Sequence, residues 1–373
     1  MTRPADTAPG PIPVLVPSLP DTEALIPYLR RIDAAHWYSN YGPLWREFRD
    51  RLAARIAAQT GAAVHVALTA NGTSAIDLAL RVRALPGRRF CLMPSYTFVA
   101  SAHAVCNAGL TPYLVDIDPT SLVLTPAIAA AALARMAEPP AAVLVISAYG
   151  APPDVAAWEA FERTHGIPVV FDAAAACMSL DAAGAQPLAV SLHATKVLGI
   201  GEGGAVISTD AGLIERITAM TGFGFLGAAR TAELRGGNFR ISGYAAAVGL
   251  AALDAIDTKL ARLREVTVQY RENLANSRLR LQDGAGESWV TMTLNVRVPD
   301  DMLADALARM DAGRIQWRRW WGLGCHTHPA FAGLPALDLP ATADLAPRVI
   351  GVPCHTELAP AQIRAVCDAL IGR

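Results

Sequence analysis

Residues 191–209 read SLHATKVLGIGEGGAVIST. The stretch holds Lys196, one of two lysines among the 32 basic side chains; the other is Lys259 and the rest are arginines. An ammonium held in a tight, partly desolvated turn can lose its proton near neutral pH and become a Schiff-base nucleophile. Gly199, Gly201, Gly203 and Gly204 permit close backbone approach around it. A solvated surface lysine is the alternative, and a chain that otherwise uses arginine speaks against it. Ser191, five residues before the lysine, can hold an anion with its hydroxyl. The closing GAVIST has the β-branched texture of a strand.

Outward from this turn, short β-branched runs alternate with longer helical ones. Towards the N-terminus the strand-like runs are VHVAL (64–68), RFCLM (89–93), PYLVDI (112–117), AAVLVIS (141–147) and PVVFDA (168–173). Helical spacing appears in SAIDLALRVRAL, TFVASAHAVCNAG and PDVAAWEAFERTHG between them. Such alternation predicts an α/β fold, a mostly parallel sheet covered by helices on both faces, with ligands beyond the carboxyl ends of the strands. A long helix is expected from about Tyr244 to Leu274, with a possible break. Beyond it, SWVTMTLNVRVP reads as strand, DDMLADALARMDAG and APAQIRAVCDALIG as helices. The expected division is a large α/β domain over 1–254, including the N-terminal segment, and a smaller α+β domain over 255–373.

The bulk properties restrict the function. The chain has 373 residues, 53% hydrophobic and 17% charged, with a net charge of −1. This is a well-buried globular composition, with no field to draw it to nucleic acid or an anionic membrane. Residues 1–20, MTRPADTAPGPIPVLVPSLP, lack a continuous apolar run, and no segment has the length and apolarity of a membrane span. A soluble, cytoplasmic protein is expected. Its six cysteines contain no C-x-x-C pair and read as reduced.

Two further stretches complement the lysine. In TANGTSAIDLAL, Asn71-Gly72-Thr73-Ser74 sits between a strand and a helix. Free N–H groups at a helix start attract anions, and the hydroxyls add donors; an ordinary N-cap is the plainer reading. No G-x-x-x-x-G-K-[ST] or G-x-G-x-x-G occurs there, so a phosphate need not belong to ATP or NAD. In VVFDAAAACMS, Asp172 ends an apolar strand, where a carboxylate is costly unless a cation meets it or it caps the alanines that follow. Pyridoxal 5′-phosphate requires a lysine, an acid for its ring nitrogen and donors for its phosphate.

With these residues in view, the chain resembles the sugar aminotransferases of the DegT/StrS group over almost its whole length. NGTSAIDLAL (71–80), MPSYTFVASAHAVCNAGLTPYLVDIDPTSLVL (93–124), FDAAAAC (171–177), SLHATKVLGIGEGGAVIST and GGNFRIS (236–242) are similar, in order, to five family motifs. The resemblance implies a fold type I, aspartate aminotransferase-like enzyme that alternates between pyridoxal and pyridoxamine phosphate. It further implies that Lys196 forms the Schiff base and shuttles protons, and that Asp172 pairs with the ring nitrogen. Gly72, Thr73, Ser74 and Ser191 would hold the phosphate, and Phe98 would stack on the ring. Asn238 would reach the partner's phosphate across a homodimer with shared sites. One departure is plain: the family's glutamine, which usually meets the ring hydroxyl, is replaced by Ala175. His193 could add a polar group nearby or be a packing histidine.

Two aromatic stretches bear on the substrate. HWYSNYGPLWREF (36–48) and QWRRWWGLGCHTHPAF (316–331) resemble the branch that transfers an amino group from L-glutamate to carbon 4 of dTDP-4-keto-6-deoxyglucose, for deoxyamino sugar and polysaccharide (O-antigen) biosynthesis. By that resemblance Trp37 and Tyr41 would line the sugar pocket, and Trp320, Trp321 and His326 would lie near the nucleotide sugar. Arg240 suits a pyrophosphate. The tryptophans could equally fill a core. Cys325, His326, His328, Cys354 and His355 suggest zinc, but their spacing fits no standard site, and no metal is expected. Two alternatives stand: amination at carbon 3 of a 3-keto nucleotide sugar, or a non-catalytic pyridoxal phosphate- or sugar-binding protein. A related dehydratase branch carries histidine in place of the lysine, which Lys196 argues against.

Overall fold

The computed structural model describes residues 10–226 and 230–373. Residues 1–9, the first part of the proline-broken N-terminal stretch, lie outside the described residues. Helices α1 (Thr22–Ala35) and α2 (Pro43–Thr60) come first. Asp21 caps α1, its carboxylate accepting from Ala24 N at 2.9 Å, and Pro43 opens α2 where a missing N–H costs nothing. Strands and helices then alternate: β1 (His65–Thr69), α3 (Gly72–Arg83), β2 (Phe90–Pro94), α4 (Val99–Asn107), β3 (Thr111–Val115), α5 (Pro126–Leu133), β4 (Ala142–Ile146), α6 (Val155–His165) and β5 (Val169–Asp172). β6 (Leu188–Ser191), β7 (Gly204–Ser208) and α7 (Ala211–Thr221) follow.

The seven strands form one sheet in the order β1-β7-β6-β5-β4-β2-β3. All neighbours are parallel except at β7, which opposes both β6 and β1. The alternation of a strand's side chains explains the layers. In β4, Val143 and Val145 enter one apolar cluster while Ala142, Leu144 and Ile146 enter another on the opposite face. All five are buried, as a strand covered on both sides requires. The register then sets the site. Ile146 faces Asp172 across β4–β5, Ser191 faces Gly204 across β6–β7, and Gly204 faces Thr69 across β7–β1. The carboxyl ends of β1, β4, β5 and β6 and the start of β7 thus meet at one end of the sheet.

The rest of the chain comprises α8 (Gly243–Asp254), α9 (Ile256–Leu274), β8 (Arg280–Leu281), β9 (Asn295–Arg297), α10 (Asp300–Ala312), α11 (Pro340–Leu345), β10 (Val349–Gly351) and α12 (Pro360–Ile371). The three strands form a small antiparallel sheet, β10-β9-β8. The long helix expected from Tyr244 to Leu274 divides at Ala255, the C-cap of α8 and N-cap of α9. The strand expected over SWVTMTLNVRVP shrinks to Asn295–Arg297. Trp289, Val290, Met292 and Leu294 are buried instead as an irregular segment, tied by the Thr291 hydroxyl donating to Tyr149 O at 2.6 Å. Among the described residues, no helix is long and apolar enough to cross a membrane.

Candidate active site

A cavity of about 440 Å³ opens at the strand ends described above. Its floor is built by secondary structure. Asp172 is the last residue of β5 and is buried. Its Oδ2 accepts from Ser101 Oγ at 2.6 Å, and its Oδ1 accepts from Ala174 N at 3.1 Å. Ser101 lies one turn into α4 and exchanges a second hydrogen bond with Thr97 Oγ1 at 2.8 Å. Burial raises the Asp172 carboxyl above its ordinary pKa, against the lowering effect of these donors and of Lys196. A charged carboxylate here therefore gains from a cationic ligand.

Lys196 lies in the glycine-rich turn between β6 and β7, its N–H donating to His193 O at 2.8 Å. Burial pulls its ammonium below the ordinary lysine value, and the charge of Asp172 acts in the opposite sense. Both side chains line the same cavity.

The third element is the start of α3. Asn71 is its N-cap, with Oδ1 accepting from Ser74 N at 2.8 Å. Gly72 opens the helix against β6. A Cβ built there would stand 2.8 Å from Ser191 Cβ, so only glycine allows this approach. Likewise a Cβ on Gly204 would fall 2.5 Å from the Asn71 backbone. Asn71, Gly72, Thr73 and Ser191 line the cavity, as does Phe98, which is 54% exposed. Ser74 does not line it; its N–H donates to the Asn71 cap. His193 lies at the wall; its Nδ1 pairs with Thr195 Oγ1 at 2.8 Å and its Nε2 stands 3.6 Å from Glu202. Ala175, where a glutamine was the family expectation, also lines the wall.

The aromatic expectations divide. Trp320 and Trp321 line the cavity, and Trp321 stacks on Tyr149 with centroids 3.9 Å apart. His326 does not. It is exposed and hydrogen-bonds Ser95 through Nδ1 at 2.8 Å. Trp37, Tyr41, Asn238 and Arg240 also stand apart from the Lys196 cavity of their own chain. Tyr41 and Arg240 line a larger cleft of about 1010 Å³ instead. The Tyr41 hydroxyl is held at α7, donating to Thr218 O at 3.2 Å. Trp37, 45% exposed, sits under the Arg46 guanidinium. Asn238 Oδ1 accepts from Arg240 Nε at 3.1 Å. The loop between α1 and α2 and the segment before α8 pack together, Gly243 N–H donating to Tyr38 O at 2.6 Å, and that segment also touches the end of β1, where Ala70 N–H donates to Phe239 O at 2.6 Å. Among the described residues, no group of three or more His, Cys, Asp or Glu side chains could hold a metal ion.

Sequence reasoning did not find Thr97, Ser101, Ser147, Tyr149, Thr293 or Arg318 in the cavity wall. Ser101 carried a signal: it follows Thr97 by four residues at a helix start, so both hydroxyls face one way.

Residues 20–371 match the DegT/DnrJ/EryC1/StrS aminotransferase family. The chain belongs to that family. It is an aminotransferase, and its cofactor is pyridoxal 5′-phosphate. A Mycobacterium tuberculosis protein is 32% identical to the aminotransferase, covering 96% of this chain and 89% of that one. The Shigella dysenteriae dTDP-4-amino-4,6-dideoxy-D-glucose transaminase is 30% identical over 71% of this chain and 70% of its own. The crystal structure of DesI in the presence of its TDP-sugar product superposes with a TM-score of 0.85 at 32% identity, covering 97% of this chain and 92% of that one. The α/β fold of the aminotransferase is thus that of pyridoxal phosphate-dependent aminotransferases.

Proposed function

We propose that the enzyme transfers an amino group from L-glutamate to carbon 4 of a nucleotide-linked keto sugar, most simply dTDP-4-keto-6-deoxyglucose. The observation that carries the reading is the convergence of Lys196, Asp172 and the Gly72–Ser191 cradle in one cavity beside an aromatic wall. The similarity to the Shigella transaminase and to DesI supports the sugar class.

The residues present suit the cofactor. The approach of Gly72 to Ser191 leaves helix N–H groups and hydroxyls facing an anion, and the buried Asp172 calls for a cation. Bound pyridoxal phosphate supplies an electron sink for cleavage of a Cα–H bond. The chain supplies the rest. Gly72, Thr73 and Ser191 bind the phosphate, with Ser74 contributing to the helix start. Asp172 holds the proton on the ring nitrogen, steadied by Ser101. Phe98 covers one face of the ring. Lys196, whose burial favours the neutral amine, would hold the cofactor covalently through its carbonyl carbon and would carry the proton taken from the substrate's Cα. Trp320 and Trp321 offer flat apolar surface to the sugar and base, and His193 a polar contact at the mouth.

Asn238 and Arg240 do not line the cavity of their own chain, and Trp37, Tyr38, Phe223 and Tyr244 are each at least 45% exposed. This supports a homodimer in which these residues complete the partner's site, with Arg240 meeting pyrophosphate, and with Trp37 and Tyr41 at its sugar end. We propose further that the protein is cytoplasmic and that residues 255–373 form a smaller unit beside a 1–254 unit.

Incubation with glutamate and dTDP-4-keto-6-deoxyglucose should give a 4-amino-4,6-dideoxy sugar, its configuration read by NMR. Amination only of a 3-keto nucleotide sugar would replace this substrate with its positional alternative. Failure of glutamate to change the absorbance of the loaded protein would leave a binding protein in place of a catalyst.

A further inference from the structure

Ser147 follows the last residue of β4, and its N–H donates to Asp172 O at 2.9 Å. It is 5% exposed and lines the Lys196 cavity. Its Oγ is buried and has no hydrogen-bond partner among the described residues. A buried hydroxyl left so is costly, and its conjunction with a ligand cavity calls for an acceptor or donor from the ligand.

The sheet order says which part of the ligand that is. β5 carries Asp172, with β6, β7 and β1 on one side of it and β4 on the other. In the cofactor ring, the nitrogen and the carbon bearing the carbonyl lie opposite one another. The phosphate arm and the ring hydroxyl occupy opposite sides of the axis between them. With the nitrogen at Asp172 and the phosphate at Gly72, Thr73 and Ser191, on the β6–β1 side, the hydroxyl faces β4. Of the other polar side chains near that wall, Trp320 Nε1 is also without a partner but lies against Gly351, and two hydroxyls are engaged. The Tyr149 hydroxyl donates to Tyr96 Oη at 2.7 Å, and Thr293 Oγ1 is shared between Thr291 and Tyr149 O. Ala174 and Ala175 carry no polar group.

We infer that Ser147 hydrogen-bonds the ring hydroxyl of bound pyridoxal phosphate. This rests on the proposed roles of Asp172 and of the phosphate cradle. A serine hydroxyl rotates among three staggered positions, so it can donate to the ring oxygen or accept from it. The contact also gives a reason for Ala175: the wall already contains a hydroxyl where a longer amide would otherwise be needed.

The test is equilibrium binding of two ligands to the full-length apoprotein, pyridoxal 5′-phosphate and its 3-deoxy analogue, which lacks only the ring hydroxyl. Wild type should bind the natural cofactor about tenfold more tightly than the analogue, the worth of one buried hydrogen bond. Ser147→Ala should remove that preference, weakening the natural cofactor about tenfold and the analogue less than twofold. Ser147→Thr, which keeps the hydroxyl, should restore the preference. Equal weakening of both ligands by Ser147→Ala would make the residue structural and overturn the inference, as would no weakening of either. If Ser147→Ala fails to fold, the wild-type comparison still decides: equal affinity for the two ligands overturns the assignment. Borohydride reduction of the loaded wild type separates this from the underlying reading. An adduct at Lys196 with no hydroxyl preference defeats the role of Ser147 alone, whereas no adduct defeats both.

Discussion

The two lysines of this chain have similar surroundings in one respect and different ones in every other. Burial lowers the pKa of both. Lys259, on α9, is pulled to about 8, and its Nζ donates to Ser18 O at 2.9 Å. Lys196 is likewise lowered by burial, with the Asp172 carboxylate opposing the effect. A depressed pKa therefore does not by itself make a nucleophile. Lys259 fastens the N-terminal segment to a helix. Lys196 faces a cavity that also holds an acid, an anion cradle and aromatic surface. The difference lies in what shares the space with the amine.

The sharpest break of this comparison is to delete each amine in turn. Lys196→Ala should lower turnover about 10⁴-fold, the upper range for losing a positioned acid–base group. It should still bind pyridoxamine phosphate. Lys259→Ala should stay within about twofold of wild type. Comparable losses in both variants, read by steady-state kinetics with glutamate, would dissolve the distinction. Asp172→Asn comes next. It keeps the shape at the end of β5 but removes the charge, so the rate of the glutamate half-reaction should fall about 10²–10³-fold. An unchanged half-reaction would mean that another group keeps the ring nitrogen protonated.

The smallest effect concerns Lys259 and pH. The folded chain releases this proton near pH 8, while the free side chain holds it to about 10.5. Below pH 8 both states are protonated and burying the ammonium costs stability. Between the two values unfolding takes up a proton, so the cost disappears as pH rises. Lys259→Met should therefore be more stable than wild type at pH 7 by about 2 kcal/mol, after loss of the bond to Ser18 is set against the gain. The advantage should vanish towards pH 10.5. Urea melts at pH 7 and pH 10 with the same difference would show that the ammonium is not desolvated as described.

The alternation of strand and helix up to β5 was legible because each strand is an apolar run bounded by turn residues. β6 was not, since its four residues follow a loop and precede the glycine-rich turn without a boundary of their own. The strand expected over 288–299 mostly dissolved because tertiary packing of Trp289 and Met292 outweighed local β-propensity. Within the site, Lys196, Asp172, Ser191 and Gly72 could be named because each sits where its residue type is locally expensive or unusual. Ser147 and Arg318 could not, because tertiary placement, not sequence spacing, brings them to the cavity. The resemblance that gives Trp37 and Tyr41 a sugar pocket does not say which cavity of the molecule they line.

β7 runs against its neighbours, and this has a consequence for the reactive amine. Ser191 and Gly204 are paired across β6 and β7, so the loop bearing Lys196 is a closed hairpin with both ends clamped in the central sheet. A swing of any surface helix leaves the spacing between amine and acid almost untouched. Lengthening that hairpin would spare the topology yet let the nucleophile drift from its acid.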